Sequence, residues 1–406
     1  MKRKVYDMKK FLALTLAVIM AIGMAACSST STSTTTVTTT DANGNTTTTS
    51  TTTTSGAGAE TAAVSDMRVA MITDYGDITD QSFNQTTYEA CKSWCEANGV
   101  DFTYFKPASD SDEDRVGMIE KAIDEGYSVV VMPGYAFGPA IVSTAPEYED
   151  VIFIALDVGE GDLGEGFTVP SNLYCAVYQE ELCGYMAGFA AVKLGYTKLG
   201  FLGGMAVPAV VRYGYGFVQG ADAAAAADGK TDVSVKYAYG NQFYGDGDIT
   251  AAMDTWYADG TEIVFACGGG IYTSAAEAAQ KVNGKVIGVD VDQAGIIDGM
   301  YGQGMTVTSA MKGLSATVYN LLSVIKEGQF VGGRVDNLGL VSENPEDNYV
   351  QLPMNSTQWS DSFTKDDYAA LVGDMVSGAV TVSNDITKSA ADMAKVISVS
   401  DLGNIK

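Results

Sequence analysis

Eight short apolar runs, separated by helix-like stretches, constrain this chain more than any other feature of its sequence. They are VAMITD (69–74), FTYFK (102–106), VVVMPG (129–134), VIFIALD (151–157), KLGFLGG (198–204), SVKYAYG (234–240), EIVFACGGG (262–270) and KVIGVD (285–290). Runs that stay apolar from end to end, each followed by a crossover helix, call for parallel sheets covered on both faces. The stretches between them, such as NQTTYEACKSWCEANG, DEDRVGMIEKAIDEG, YQEELCGYMAGFAAVKLG and YGFVQGADAAAAADG, read as amphipathic helices. Eight strands in about 220 residues suit two doubly wound lobes better than one. Seven of the runs end on an acid or glycine: Asp74, Gly134, Asp157, Gly203-Gly204, Gly240, Gly268-Gly269-Gly270 and Asp290. Open parallel sheets bind ligands beyond the carboxyl ends of their strands, so these residues converge on one edge of each lobe and a cleft lies between. The expected lobes are 67–171 plus 290–330, and 172–289 plus 331–385, with 386–406 as a C-terminal helix and tail.

The 406 residues include no histidine, which excludes Ser-His-Asp and Cys-His hydrolases and removes the commonest metal ligand. Fifty Asp and Glu against 24 Lys and Arg give a net charge of −26, which would repel nucleic acid. The partners to expect are small molecules or other proteins. Cys91, Cys95, Cys175, Cys183 and Cys267 show neither paired disulfide logic nor zinc spacing, and they read as small buried hydrophobes. Asp74, Asp77 and Asp80 lack the glycine and distal glutamate of a calcium loop, and the acids of 110–114 suit a helix N-terminus. Gly229-Lys230-Thr231 is preceded by Ala224 where a phosphate loop needs glycine. The expectation is therefore no metal and no cofactor.

At the N-terminus, Lys2, Arg3, Lys4, Lys9 and Lys10 precede an apolar stretch, Phe11 to Ala26, whose one polar side chain is Thr15. A basic segment followed by an apolar run too short for a comfortable span is an export signal. It ends at Met24-Ala25-Ala26-Cys27, which resembles the bacterial lipoprotein signal: residues 1–26 are removed and Cys27 is lipidated. Two acyl chains are about what stable membrane anchoring requires. Losing five basic residues and Asp7 takes the net charge from −26 to −30. Residues 27–66, nearly all Ser, Thr, Gly and Ala after the cysteine, read as a disordered tether with a typical reach of about 30–40 Å.

In the first strand and its loop, TDYGDITDQSFNQTTYEA, Asp74 ends the strand and Asp80 or Ser82 can cap the next helix. Phe83 can stack on a flat ring, Asn84 can donate and accept, and Asp74 can accept from ring or exocyclic N–H groups. Phe83 also suits a helix-start hydrophobe packed in the core.

That segment, the acid ending VIFIALD, the stretch YQEELCGYMAGFAAVKLGYTKLGFLGGMAVPAVVRYGYGFVQGAD, then GTEIVFACGGG, GVDVDQ and TSAMKGL together resemble the basic membrane protein family of lipoproteins. The resemblance spans roughly residues 67 to 380, with the motifs in the family's order. It implies an α/β, two-lobed type I periplasmic-binding-protein fold, each lobe a doubly wound parallel sheet. It further implies the purine-nucleoside-binding component of an ABC importer: lipid-anchored on the extracytoplasmic face of the cell membrane, monomeric, and partnered by permease subunits and a cytoplasmic ATPase. Carried over by motif, Asp74, Phe83 and Asn84 look like the base-recognition group and Asp157 like a binding acid. Asp290 looks like a ribose ligand with Lys312 beside it, and Phe243 like the second aromatic face. Tyr244 rivals Phe243, Asp292 rivals Asp290, and one of Gly268 to Gly270, taken as Gly269, brings a backbone amide to the ligand.

The residue chemistry agrees with that implication, because a base wants aromatic faces and a cis-diol wants carboxylate acceptors. Lys312 would offset the cost of burying acids. Three other readings compete: a sugar or other small solute on the same fold, a nucleoside-cleaving hydrolase using paired carboxylates, and an adhesin or sensor lipoprotein without transport.

Overall fold

The computed structural model describes residues 30–40, 46–56 and 66–406. The expected export signal and Cys27 lie outside the described residues. Within the expected tether, β1 (Thr30–Thr40) and β2 (Thr46–Gly56) pair antiparallel, Thr30 opposite Gly56, where the sequence was read as disordered. Threonine is β-branched and favours extended backbone, which accounts for the pairing. A lone two-stranded ribbon is marginally stable in water, so a spacer role for this segment remains a proposal.

The body, described separately, holds two sheets. One has six strands in the order β13-β7-β6-β5-β3-β4. These are β3 (Arg68–Ile72), β4 (Asp101–Phe105), β5 (Val129–Pro133), β6 (Ile152–Leu156), β7 (Leu173–Tyr178) and β13 (Arg334–Leu338), all parallel. The other has seven strands in the order β14-β12-β11-β10-β8-β9-β15. These are β8 (Lys198–Gly203), β9 (Ser234–Tyr239), β10 (Ile263–Cys267), β11 (Lys285–Asp290), β12 (Thr306–Lys312), β14 (Val350–Gln351) and β15 (Ser398–Asn404), and only the short β14 runs antiparallel. All eight expected runs are strands, and β5, β6 and β10 are buried along their whole length, as continuous apolar runs require.

The lobe boundaries differ from the expected ones. Thr306–Lys312, assigned by sequence to the first lobe, lies in the seven-stranded sheet, whereas Leu173–Tyr178 and Arg334–Leu338 join the first. Leu314–Lys326 does belong with the first lobe, since Trp94 Nε1 donates to Ser323 Oγ at 2.9 Å. The chain thus crosses between sheets at three places, near Gln179, Gly313 and Gly339, and these lie side by side. Gln179 N donates to Leu338 O, Gly313 N to Tyr349 O and Tyr349 N to Gly339 O. The last segment is no loose tail, because Ser398–Asn404 extends the seven-stranded sheet beside β9.

Two helices were expected to be amphipathic and are not. Glu180–Lys193 and Pro208–Asp228 are apolar nearly all round and pack on each other backbone to backbone. Gly184, Gly188, Gly216 and Gly220 make the approach possible. A Cβ on Gly184 would lie 2.2 Å from Tyr213 O, and one on Gly216 would lie 2.1 Å from Glu181 O. All five described cysteines are free and buried, and burial pushes the Cys95 and Cys175 thiols up to about 12. The acids after Ser111 open the helix Asp112–Asp124, with Ser111 Oγ accepting from Asp114 N at 3.2 Å.

Candidate functional site

A cavity of about 770 Å³ opens between the carboxyl edges of the two sheets, and all eight residues expected to touch ligand line it: Asp74, Phe83, Asn84, Asp157, Phe243, Gly269, Asp290 and Lys312. The topology explains this convergence. In the first sheet the strand order reverses around β3 and β5, and in the second around β8 and β10, which are the crevice positions of open parallel sheets.

Lys312, the last residue of β12, is the electrostatic centre. Its ammonium pairs with Asp157 Oδ2 and lies 3.6 Å from Glu180 Oε1 and 3.7 Å from Asp290 Oδ1. The Phe83 ring centroid lies 4.6 Å from the same ammonium. Burial works against its charge, but the three carboxylates win and hold the lysine above its ordinary value. Asp157, immediately beyond β6, and Asp290, the last residue of β11, both adopt left-handed backbone, φ 58° and 64°. Non-glycine residues hold that conformation at a cost of order 1–3 kcal/mol, and it turns the side chains out of the strand direction into the cavity. Asp157 is pushed up to about 6 by burial, with Lys312 pulling back in part.

Asp290 is further fixed by Ser82 Oγ, donating at 2.5 Å to Oδ2, and Tyr213 OH, donating at 3.3 Å to Oδ1. Asp292 faces elsewhere: it is exposed, accepts from Ser356 Oγ at 2.6 Å and from Ala294 N, and does not line the cavity.

Another part of the cavity wall is built from the loop after β3. Asp74 Oδ1 accepts from Tyr75 N and Gly76 N, both at 2.7 Å, while burial drives its carboxyl up to about 6. Gly134 must be glycine here, for its φ is 127° and a Cβ would fall 2.6 Å from Asp74 Oδ2. Asp80 caps the helix Phe83–Asn98, accepting from Ser82 N, Asn84 N and Gln85 N. Ser82, the other capping candidate, gives its hydroxyl to Asp290. Asn84 Nδ2 donates to Asp80, leaving Asn84 Oδ1 buried without a partner. Asp157 Oδ1 is in the same condition.

The aromatic wall holds a ring beyond the expected Phe83 and Phe243. Phe83 carries Lys312 over its ring, and the ring facing Phe243 is Tyr75, with centroids 6.3 Å apart and planes 31° apart. Phe243 is half-buried and pressed against Gly204, where a Cβ would lie 2.4 Å from its ring, while Tyr244 also lines the cavity but is 62% exposed. Gly269, φ 51°, sits where a Cβ would strike Phe243 O at 2.8 Å.

Sequence reasoning missed Glu180, Arg212 and Tyr213. Glu180 is fully buried, and Arg212 Nε donates to its Oε2 at 2.7 Å. The available signal was a pair of acids, Glu180-Glu181, opening a helix with almost no other polar residue, since buried acids need partners.

Residues 67–369 match the family model described as "ABC transporter substrate-binding protein PnrA-like" (Bmp). A relative in Lactococcus lactis, described as an ABC transporter nucleoside-binding protein, is 27% identical over 337 residues, covering 78% of this chain and 89% of its own. A CD4+ T-cell-stimulating antigen of Listeria monocytogenes is 26% identical, covering 68% of this chain and 78% of its own. Solute-binding proteins of ABC transporter systems from Aeropyrum pernix and Conexibacter woesei share the fold. Their TM-scores are both 0.60, with 20% and 24% identity, 80% and 78% of this chain covered, and 90% and 99% of theirs. The two parallel sheets flanking one cleft are thus the two-lobed type I periplasmic-binding-protein architecture, and the chain belongs to the Bmp family of ABC transporter substrate-binding proteins.

Proposed function

We propose that this chain captures an uncharged purine nucleoside in the interlobe cleft and delivers it to an ABC permease, held to the extracytoplasmic face of the membrane by lipid on Cys27. The observation that carries the reading is a pair of buried acceptors without partners, Asn84 Oδ1 and Asp157 Oδ1, on two residues that line one cavity. Asp157 and Asp290, fixed around Lys312, suit a vicinal diol, which donates two hydrogen bonds to carboxylates. Asp74 and Asn84 suit the edge of a base, and Tyr75, Phe83 and Phe243 offer flat apolar faces. The lining holds more acids than cations, which disfavours a phosphorylated ligand. Some 20 ligand atoms at about −0.4 kcal/mol each allow micromolar affinity, about −8 kcal/mol.

The acids serve binding and not bond cleavage, so incubation with inosine releases no free base. Calorimetric titration with guanosine, adenosine, guanosine 5′-monophosphate and ribose tests the assignment. The nucleosides bind and the nucleotide and free sugar do not; preference for ribose would move the site to the sugar class.

A further inference from the structure

The family match ends at residue 369, yet the chain continues to 406 and brings a side chain back to the cleft. Ile386 lines the same cavity as Asp157 and Phe243 and is 39% exposed, an apolar group standing at the mouth of a carboxylate-rich site. The segment that carries it is fastened to one face of the helix Pro208–Asp228. Gln219 Nε2 donates to Ser383 O at 2.9 Å and Gln219 Oε1 accepts from Ser383 N at 2.8 Å. Tyr215 OH donates to Lys388 O at 2.6 Å. Farther on, Asp222 Oδ1 accepts from the backbone N–H groups of Lys395, Val396 and Ile397 at 2.9, 2.6 and 3.0 Å. Residues 215, 219 and 222 follow the four-then-three spacing of one helix face, so a single stripe grips the segment along its length.

Between the grips at Ser383 and Lys388 the chain turns on Asp385, whose Oδ1 accepts from Thr387 N at 3.0 Å and from the Thr387 hydroxyl at 2.5 Å. Ile386 is therefore the middle residue of a turn held on both sides. Beyond it, Ala390, Met393 and Ile397 are buried in the main core. The opposing features matter together: of the large apolar side chains that this firmly anchored segment leaves exposed, Ile386, Val396 and Leu402, Ile386 is the one that lines the ligand cavity. The apolar residues Met205, Val207 and Pro208 line that cavity as well, and they directly precede or begin the gripping helix.

We propose that residues 380–397 form a fixed strap outside the family's matched region, and that Ile386 is a specificity-determining residue that covers an uncharged, flat part of the bound ligand at the cleft mouth. The choice of probe rests on the nucleoside reading. Asp222 is a positioning residue for the strap and does not itself reach the cavity.

The test compares the full chain with Ile386→Ala, Ile386→Glu and Asp222→Asn, titrated calorimetrically with guanosine and inosine. Ile386→Ala weakens binding by roughly three- to tenfold, the loss expected for a partly buried aliphatic side chain. Ile386→Glu weakens it further, with an unchanged melting temperature without ligand. Asp222→Asn speeds hydrogen exchange at the amides of 395–397 and weakens binding in step with that loosening. Wild-type affinity in both Ile386 variants overturns the proposal. If the wild-type chain binds neither nucleoside, the nucleoside reading fails on its own. The strap is then judged on whatever solute accompanies the protein through purification, counted by mass spectrometry after denaturation. Retention by wild type and loss by Ile386→Glu sustains the strap, and equal content overturns it.

Discussion

Lys312 shows how one residue can stabilise a fold and define a site together. Three carboxylates face a single buried ammonium, so removing the cation leaves Asp157 and Asp290 without their cationic partner, while Glu180 keeps Arg212. Lys312→Met should destabilise the protein by about 3–5 kcal/mol at pH 7 in urea titration. The loss should shrink at pH 5, where Asp157, raised to about 6 by burial and no longer held down by the lysine, takes up a proton. The carboxyls of Asp74 and Asp157, both raised to about 6, set two pH dependences of opposite sign. Each binds more protons folded than unfolded between about pH 4 and 6, so their contribution to ligand-free stability is greatest at the acid end and is lost as pH rises through about 6. Ligand donors need the ionised forms, so nucleoside affinity should fall as pH drops from 7.5 to 5. In Asp74→Asn that fall should flatten, and an unchanged slope by calorimetry would remove Asp74 from ligand contact. Gly204→Ala puts a Cβ 2.4 Å from the Phe243 ring, and it should weaken binding about tenfold or more by displacing a stacking face while the fold survives.

At the scale of elements, the glycine-mediated contact between Glu180–Lys193 and Pro208–Asp228 sets where Glu180, Arg212 and Tyr213 meet. Gly184→Ala forces a methyl into Tyr213 O, and overpacking of this kind costs about 1–3 kcal/mol. Because Tyr213 donates to Asp290, the variant should lose ligand affinity as well as stability; a loss of stability alone would separate the helix contact from the site. The elements also show what was legible beforehand. Strands such as VIFIAL and VVVMP are buried on both faces and announce themselves as unbroken apolar runs. Arg334–Leu338 and Ser398–Asn404 are polar edge strands, which owe their conformation to the neighbour they pair with, and nothing local marks them. Strand-end position found Asp74, Asp157 and Asp290 for the same reason that it failed for Glu180. The first three depend on local backbone direction, while Glu180 depends on how closely two helices approach. Tyr75 escaped notice because the partner of Phe243 is fixed by the meeting of two lobes far apart in sequence.

Across the whole molecule, three adjacent crossovers join lobes that also touch directly. Ser82 Oγ reaches Asp290, and Gln293 Nε2 donates to Gln81 O at 3.0 Å. The lobe boundaries were misread because a crossover has no compositional signature; Gly313 and Gly339 are identified as crossing points only by the sheets on either side. These two bridges hold the lobes together across the cleft, so Gln293→Ala should favour opening, raise the radius of gyration in X-ray scattering without ligand, and weaken binding; an unchanged radius would argue that the lobes are held by the crossovers alone. On the proposed function, a cleft lined by acids, floored by one lysine and walled by aromatic rings should select for a neutral ligand with a flat base and a diol. The most direct measurement is mass spectrometry of the small molecules released when protein purified without added ligand is denatured. The account predicts a purine nucleoside in stoichiometric amount, and recovery of a nucleotide or a free sugar in its place would contradict it.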